Sequence, residues 1–306
     1  MDNNNTVSIQ LSREHASEFT DDLSRWLDKL AHLNIDFMLE GETGTGKDTF
    51  ARHLYERSDR DGPFIGINCA AIPEQLAEAE LFGSVPGAYT GATKPRVGHI
   101  EASEGGILFL DEIDSMPLSL QAKLLRVLET RSVMRLGSTE TQPVNLRVIG
   151  AAQRPLLRLV ESGEFRSDLY FRLSTVKIAL PALRERVETI VPQFQRFAID
   201  AARQFKRPLP AMDQTLAESL LMHRWPGNMR ELKAAAMRFV LGMPPLEHTR
   251  TTHSWTLKDR MARIESCLIQ DCLSRHDNQV IDAAVELGIP SRTLYNKLKA
   301  LNLMEK

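Results

Sequence analysis

The octapeptide Gly41-Glu42-Thr43-Gly44-Thr45-Gly46-Lys47-Asp48 follows the apolar run Ile35 to Leu39 and precedes a helix-like stretch from Thr49 to Arg57. Strand, glycine loop, helix is the order a phosphate cradle needs. Glycines let successive backbone N–H groups turn inward, the helix presents its positive end, and Lys47 reaches the β and γ phosphates. Asp48 stands where the general pattern carries a Ser or Thr hydroxyl for Mg²⁺, so the loop alone does not imply a metal ligand. Downstream, Gly105-Gly106-Ile107-Leu108-Phe109-Leu110-Asp111-Glu112 is an apolar strand ending in two carboxylates. Two acids ending a core strand are more often solvated side chains than a site. Behind a phosphate cradle they form its expected second half. Asp111 would then hold Mg²⁺ directly or through water, and Glu112 would polarise the water that attacks the γ-phosphate of ATP.

Two further segments carry chemistry of another kind. Gly87-Ala88-Tyr89-Thr90-Gly91-Ala92 is small, glycine-flanked and centred on an aromatic ring, and Pro86 separates it from the helix-like run ending at Gly83. It reads as a loop projecting from a helical insertion, able to contact a partner closely. Near the C-terminus, Ala283 and Ala284 let two helices approach, while Leu287, Ile289, Leu294 and Leu298 supply a small core. A glycine turn and a capping Ser291 complete a helix-turn-helix. Arg292, Thr293, Asn296 and Lys297 would be exposed to reach phosphates or base edges. Residues 291–299 hold Arg292, Lys297 and Lys299 and no acid, in a chain of net charge −2. Basicity is therefore local, where DNA contact needs it.

With these motifs in order, the chain resembles the bacterial enhancer-binding proteins, AAA+ ATPases that activate sigma-54 RNA polymerase. The resemblance runs from about residue 10 to the C-terminus. An acidic residue after the P-loop lysine is usual in that family, so Asp48 fits it. The family's GAFTGA loop matches residues 87–92 with Tyr89 replacing phenylalanine, which implies that Gly87, Ala88, Tyr89, Thr90, Gly91 and Ala92 meet sigma-54. By the same resemblance Asn68 holds Glu112 away from water as a switch, and Arg166 and Arg172 enter the neighbouring subunit's pocket. Gln153 occupies a first sensor position where Asn is usual, and Arg230 in Trp225-Pro226-Gly227-Asn228-Met229-Arg230 is the second sensor. Asn228 is expected to cap the helix that aims Arg230. The implied assembly is a ring, homo- or hetero-hexameric with a homologous activator, working on sigma-54 RNA polymerase holoenzyme from enhancer DNA. Within the family the resemblance is to HrpR/HrpS-type activators of type III secretion genes, through the Gly-Lys-Asp ending and Asp111-Glu112-Ile113-Asp114-Ser115-Met116-Pro117. About forty residues precede the P-loop, too few for a receiver domain, so control by a homologue or an inhibitory regulator protein is expected. An ATP-responsive repressor and an AAA+ remodeller of another protein are the alternative readings.

The elements that must position these residues follow from period and punctuation. Strands are expected at Ile35 to Glu40, Phe64 to Asn68, Ile107 to Asp111, Leu146 to Ala151 and Val176 to Leu180, alternating with helices in a parallel α/β sheet. Leu23, Trp26, Leu27 and Leu30 recur at helical spacing before them. After Pro181 the pattern is all helical, with Ile190, Phe194, Phe197 and Ala201 on one face and Leu232, Ala235, Ala236 and Phe239 on another. The expected architecture is an AAA+ α/β subdomain at 1–180, a helical lid subdomain at 181–242, a linker at 243–256 and a Fis-type helix-turn-helix at 257–306. At 42% apolar and 25% charged the composition is that of a globular protein, and no apolar run approaches bilayer length. Cys69, Cys267 and Cys272 show no paired metal spacing, and Cys267 and Cys272 read as packing residues of one helix in a reducing, cytoplasmic setting.

Overall fold

A computed structural model describes residues 7–10 (backbone only), 26–89, 92–246, 265, 269, 272, 273, 276 and 279–300. Thr90, Gly91, Leu23, Cys267 and residues 247–256 of the expected linker lie outside the described residues. The chain divides into two compact units, Met1–Thr189 with Gly227–Glu231, and Ile190–Pro226 with Leu232–Lys306.

The first unit is built on a six-stranded parallel sheet. Its strands are β1 (Val7–Gln10), β2 (Phe37–Glu40), β3 (Phe64–Asn68), β4 (Ile107–Asp111), β7 (Arg147–Ala152) and β8 (Val176–Ala179), while β5 (Ser132–Met134) and β6 (Thr141–Pro143) form a separate antiparallel pair. Spatial order is β1-β8-β2-β7-β4-β3. Alternation along each strand feeds two apolar layers, one on each face. Leu108 and Leu110 enter one core with Met38, Val148 and Leu124, whereas Ile107 and Phe109 enter the other with Phe37, Leu39, Phe50 and Leu54. Helix α1 (Lys47–Glu56) covers the second face, and α2 (Glu74–Phe82), α3 (Leu118–Thr130) and α4 (Ser167–Leu173) pack into the first.

The expected parallel sheet is present with shifts of one or two residues. The first expected strand begins at Phe37 rather than Ile35, because the buried Asp36 carboxylate pairs with the partly exposed Arg131 and accepts the N–H of Val148. Helix α1 starts at Lys47, not Thr49, since Gly46 in left-handed conformation already serves as its N-cap. Strand β1 and the β5–β6 hairpin were not expected.

The second unit holds α5 (Ile190–Phe205), α6 (Gln214–Met222) and the part of α7 (Asn228–Val240) beyond its first turn. Ile190, Phe194 and Ala201 are buried as their spacing requires, and the Phe194 and Phe239 rings meet at 5.5 Å. Asp213 caps α6 by accepting the N–H of Leu216. In the C-terminal part, α8 (Val280–Glu286) and α9 (Ser291–Ala300) enclose a small core of Ala283, Ala284, Leu294 and Leu298 with Ile269 and Cys272. Cys272 is thus a packing residue. Among the described residues no helix is long and apolar enough to cross a membrane.

Candidate nucleotide site and effector elements

The chemistry-bearing residues stand at the carboxyl ends of adjacent parallel strands, where open α/β sheets receive ligands. Strand β2 runs into the glycine loop, β4 ends at Asp111, β7 delivers Gln153, and Asn68 closes β3 in register with Asp111. Gly44 and Gly46 adopt φ of 77° and 108°, which turns the loop's N–H groups inward. A Cβ on Gly46 would meet no atom within 4 Å, so the cradle has room for a phosphate beside the start of α1. Lys47 donates to the carbonyls of Gly41 (2.6 Å) and Glu42 (3.1 Å). Burial pulls its pKa below the ordinary lysine value, against the attraction of Asp111, Asp114 and Glu112. Asp48 is exposed and pairs along α1 with Arg52 at 2.9 Å, the ordinary role of an acid in a first helical turn.

Burial likewise pushes Asp111 above the ordinary carboxylate range, with Lys47 opposing. Its Oδ1 accepts the N–H of Glu112 at 3.0 Å. Glu112 itself sits at φ 54°, ψ 42°. A non-glycine residue in that region costs on the order of 1–2 kcal/mol, and such strain collects at functional positions. Glu112 Oε1 accepts from Gln153 Nε2 at 2.7 Å, and Gln153 Oε1 accepts from the Thr43 hydroxyl at 2.6 Å. The expected Asn68–Glu112 contact is not the one made. Asn68 Oδ1 instead accepts the N–H groups of Ala70 and Ala71, capping the short 3₁₀ turn that follows β3.

The turn expected to carry the second sensor docks on the glycine loop. Met229 N–H donates to the Gly44 carbonyl at 2.9 Å, and Asn228 Nδ2 donates to the Thr43 carbonyl at 2.9 Å and to Glu42 Oε2 at 3.2 Å. Asn228 therefore does not cap α7. It lies at φ 50°, fully buried, with Oδ1 accepting the N–H of Leu183, and Glu231 takes the N–H of Gly227 in its place. Arg230 is exposed, and its charge opposes that of Lys47. Sequence reasoning missed Arg184, which grips Glu42 with both terminal nitrogens (2.8 and 2.5 Å) and holds that carboxyl below the ordinary range. Its only signal is the charged run Leu183-Arg184-Glu185-Arg186 after Pro181.

Arg166 and Arg172 are not brought to this pocket. Arg166 is exposed and pairs with Asp168 (3.0 and 2.7 Å), whereas Arg172 donates to the Leu128 carbonyl at 2.9 Å and stands 3.5 Å from the buried carboxylate of Asp36. Of the described residues of the hexapeptide, Gly87 donates its N–H to the Ala92 carbonyl at 2.8 Å and Ala92 donates its N–H to the Tyr89 carbonyl at 3.0 Å. Its base is pinned by bridges from Ser84 to Arg96 and to Leu136, beside the β5–β6 hairpin. The Tyr89 ring is exposed. In the second unit, Arg292 and Asn296 are exposed as expected, but Thr293 and Lys297 are half-buried, Lys297 through an ion pair with Glu265. Ser291 is the first residue of α9 and not its cap, because the Pro290 carbonyl already accepts the N–H groups of Thr293 and Leu294.

Three family patterns match the chain in tandem: the Sigma-54 interaction domain over residues 14–179, the AAA+ ATPase lid domain over 184–252, and the bacterial regulatory protein, Fis family, over 260–301. The chain belongs to the sigma-54-dependent transcriptional activators. As such an activator it couples an AAA+ ATPase to a DNA-binding helix-turn-helix. It is 54% identical over 297 residues to the pathogenicity locus probable regulatory protein WtsA of Pantoea stewartii subsp. stewartii, covering 96% of this chain and 92% of WtsA. HrpS of Pseudomonas syringae pv. syringae, also a pathogenicity locus probable regulatory protein, is 53% identical, covering 90% of this chain and 92% of HrpS. Among solved structures, NtrX from Brucella abortus in complex with ADP matches the activator with a TM-score of 0.71 at 29% identity, covering 92% of this chain and 68% of NtrX.

Proposed function

We propose that this activator binds enhancer DNA through α9 and spends ATP to move the 87–92 loop, driving sigma-54 RNA polymerase from closed to open complex at type III secretion (hrp) promoters. The observation that supports this reading most directly is the juxtaposition at the strand ends: the glycine loop after β2 brings Lys47 within electrostatic reach of the Asp111–Glu112 pair that ends β4. ATP enters with its phosphates on Gly41 to Lys47. Asp111 offers a hard carboxylate oxygen next to a desolvated lysine, a donor suited to Mg²⁺, which would neutralise charge on the phosphates. Glu112 takes the proton of the attacking water, and Arg230 approaches the γ-phosphate from the turn seated on Gly44.

Arg166 and Arg172 act in trans, which requires a ring, and six subunits are proposed, alone or alternating with a homologous activator. Pairing with a homologous activator and control by an inhibitory protein are the expectations that the resemblance to HrpR/HrpS-type activators carries, and the DNA-binding family pattern over 260–301 supports a cytoplasmic setting. The domain plan is an ATPase subdomain at 1–180, lid at 181–242, linker at 243–256 and DNA-binding domain at 257–306. The test is promoter opening by the purified full chain with ATP and sigma-54 holoenzyme. Thr90→Ala and Tyr89→Ala should hydrolyse ATP and fail to open, while Tyr89→Phe, which keeps the exposed ring, should open normally. Opening by Thr90→Ala at the parental rate would sink the assignment of the loop.

A further inference from the structure

We propose that Cys272, His276 and Glu286 form a Zn²⁺ site in the helix-turn-helix part of the chain, a metal clamp on the frame that carries α9. The Sγ of Cys272, a ring nitrogen of His276 and a carboxylate oxygen of Glu286 all lie within 4.8 Å of one another. Thiolate, imidazole and carboxylate are donors that Zn²⁺ takes together, whereas Mg²⁺ and Ca²⁺ select oxygen alone.

Local structure brings the three donors together. Cys272 and His276 stand four residues apart, and the His276 N–H donates to the Cys272 carbonyl at 3.3 Å, the helical bond that sets i and i+4 on one face. The chain then turns at once. Gln279 N–H donates to the His276 carbonyl at 2.8 Å, and α8 follows with Glu286 as its last residue. Cys272 Sγ donates to the Ala283 carbonyl at 3.5 Å, and His276 Nε2 meets Glu286 Oε2 at 2.5 Å, so both donors of the earlier segment already touch α8. An ion pair alone would account for His276 and Glu286; the sulfur standing beside them goes beyond it. Around Zn²⁺ such donors stand roughly 3.4–3.6 Å apart, so closing the set from 4.8 Å asks for about 1 Å of side-chain movement. Cys272 is fully buried, while the His276 and Glu286 side chains are 32% and 35% exposed, which gives the ion a route in from solvent. On binding, the thiol gives up its bond to Ala283 and releases one proton to solvent, and the other two donors turn from each other to the ion. Three protein donors leave the fourth position of a tetrahedron to water. Cys272 also shares the small core with Leu294 and Leu298 of α9, so a bound ion stiffens the frame that presents Arg292 and Asn296.

The test uses the full chain, with Co²⁺ as a spectroscopic stand-in for Zn²⁺ and a chromophoric chelator competing for Zn²⁺ itself. Cys69→Ser and Cys267→Ser are introduced first, which leaves Cys272 as the one thiol in the sequence. One equivalent of Co²⁺ should then give a thiolate-to-metal charge-transfer band in the near ultraviolet, and Zn²⁺ should erase it. Zn²⁺ should also raise the thermal midpoint by several degrees. His276→Gln and Glu286→Gln should each weaken Zn²⁺ binding by about a hundredfold or more, since loss of even an outer-shell partner costs roughly 10–100-fold. Cys272→Ser should remove the band; because it alters a buried position, the two variants at the rim keep the test decisive should it fail to fold. Absence of the band in the parent, or a Zn²⁺ affinity unchanged in either His276→Gln or Glu286→Gln, would overturn the site.

Discussion

A Cβ added to Gly44 would lie 2.3 Å from the carbonyl oxygen of Gly227, although 182 residues of chain lie between the two positions. The glycine is required twice over, by φ of 77° and by the turn lying against it. Forcing a methyl group there costs roughly 1–2 kcal/mol for the backbone alone, and the clash adds to it. Gly44→Ala should therefore lower the thermal midpoint by several degrees and remove nucleotide binding, as read by calorimetry and fluorescent ADP. Unchanged melting would mean that the turn does not seat on the loop in solution.

The legibility of this site divides by sequence distance. Gly41 to Lys47 and Ile107 to Glu112 are contiguous, and period, glycine spacing and terminal charge all bear on one short window, so strand, loop and acid pair could be placed. What escaped depends on pairs far apart in the chain. Nothing local tells Arg184 that it will grip Glu42, or Asn228 that its amide will reach Thr43 instead of capping α7. The four residues of β1 carry too few alternations to register as a strand, and β5 and β6 have three each. Asn68 was assigned by resemblance, and its own backbone neighbours offered the nearer partners.

Asp111 yields a prediction with a sign. Burial raises its pKa in the folded chain above the unfolded value, despite the pull of Lys47. A carboxyl of that kind contributes stability that is complete below its unfolded pKa and lost as pH rises through its folded pKa. At pH 7 the ionised group thus works against folding. Asp111→Asn keeps an oxygen for the Glu112 N–H, so it should melt higher than the parent at pH 7, with the advantage shrinking toward about pH 4. ATP turnover should be lost in the same variant, a stability gain bought with function. Lower melting at pH 7 would show that the acid is held by partners that favour its charge.

The two interface arginines should separate in a pair of measurements. Arg166 pairs with Asp168 on the surface, an interaction that adds little to folding, while Arg172 stands 3.5 Å from Asp36, whose side chain is 1% exposed. Arg166→Ala should leave the melting temperature unchanged and lower ATP turnover of the assembled protein by about a thousandfold, the low end of the effect of a trans arginine. Arg172→Ala should lower both, since Asp36 retains Arg131 but loses a second cation. Mixing Arg166→Ala subunits with Lys47→Ala subunits should restore part of the turnover, because intact arginines of one kind of subunit then face intact pockets of the other. No recovery on mixing would argue that the arginine acts within its own chain.

DNA binding offers the last separation, between two cations on α9. Arg292 is exposed, whereas Lys297 is ion-paired with Glu265. A lysine already neutralised by a carboxylate releases fewer DNA counterions when it meets phosphate than an unshielded arginine does. Arg292→Ala should therefore flatten the slope of log affinity against log salt by about 0.9, and Lys297→Ala by clearly less. If Arg292 reads a base edge, its loss should also narrow the gap between enhancer and unrelated duplex, which a phosphate contact alone would leave untouched. Equal slopes for the two variants would mean that Glu265 releases Lys297 on binding, and Glu265→Gln should then strengthen binding at every salt concentration.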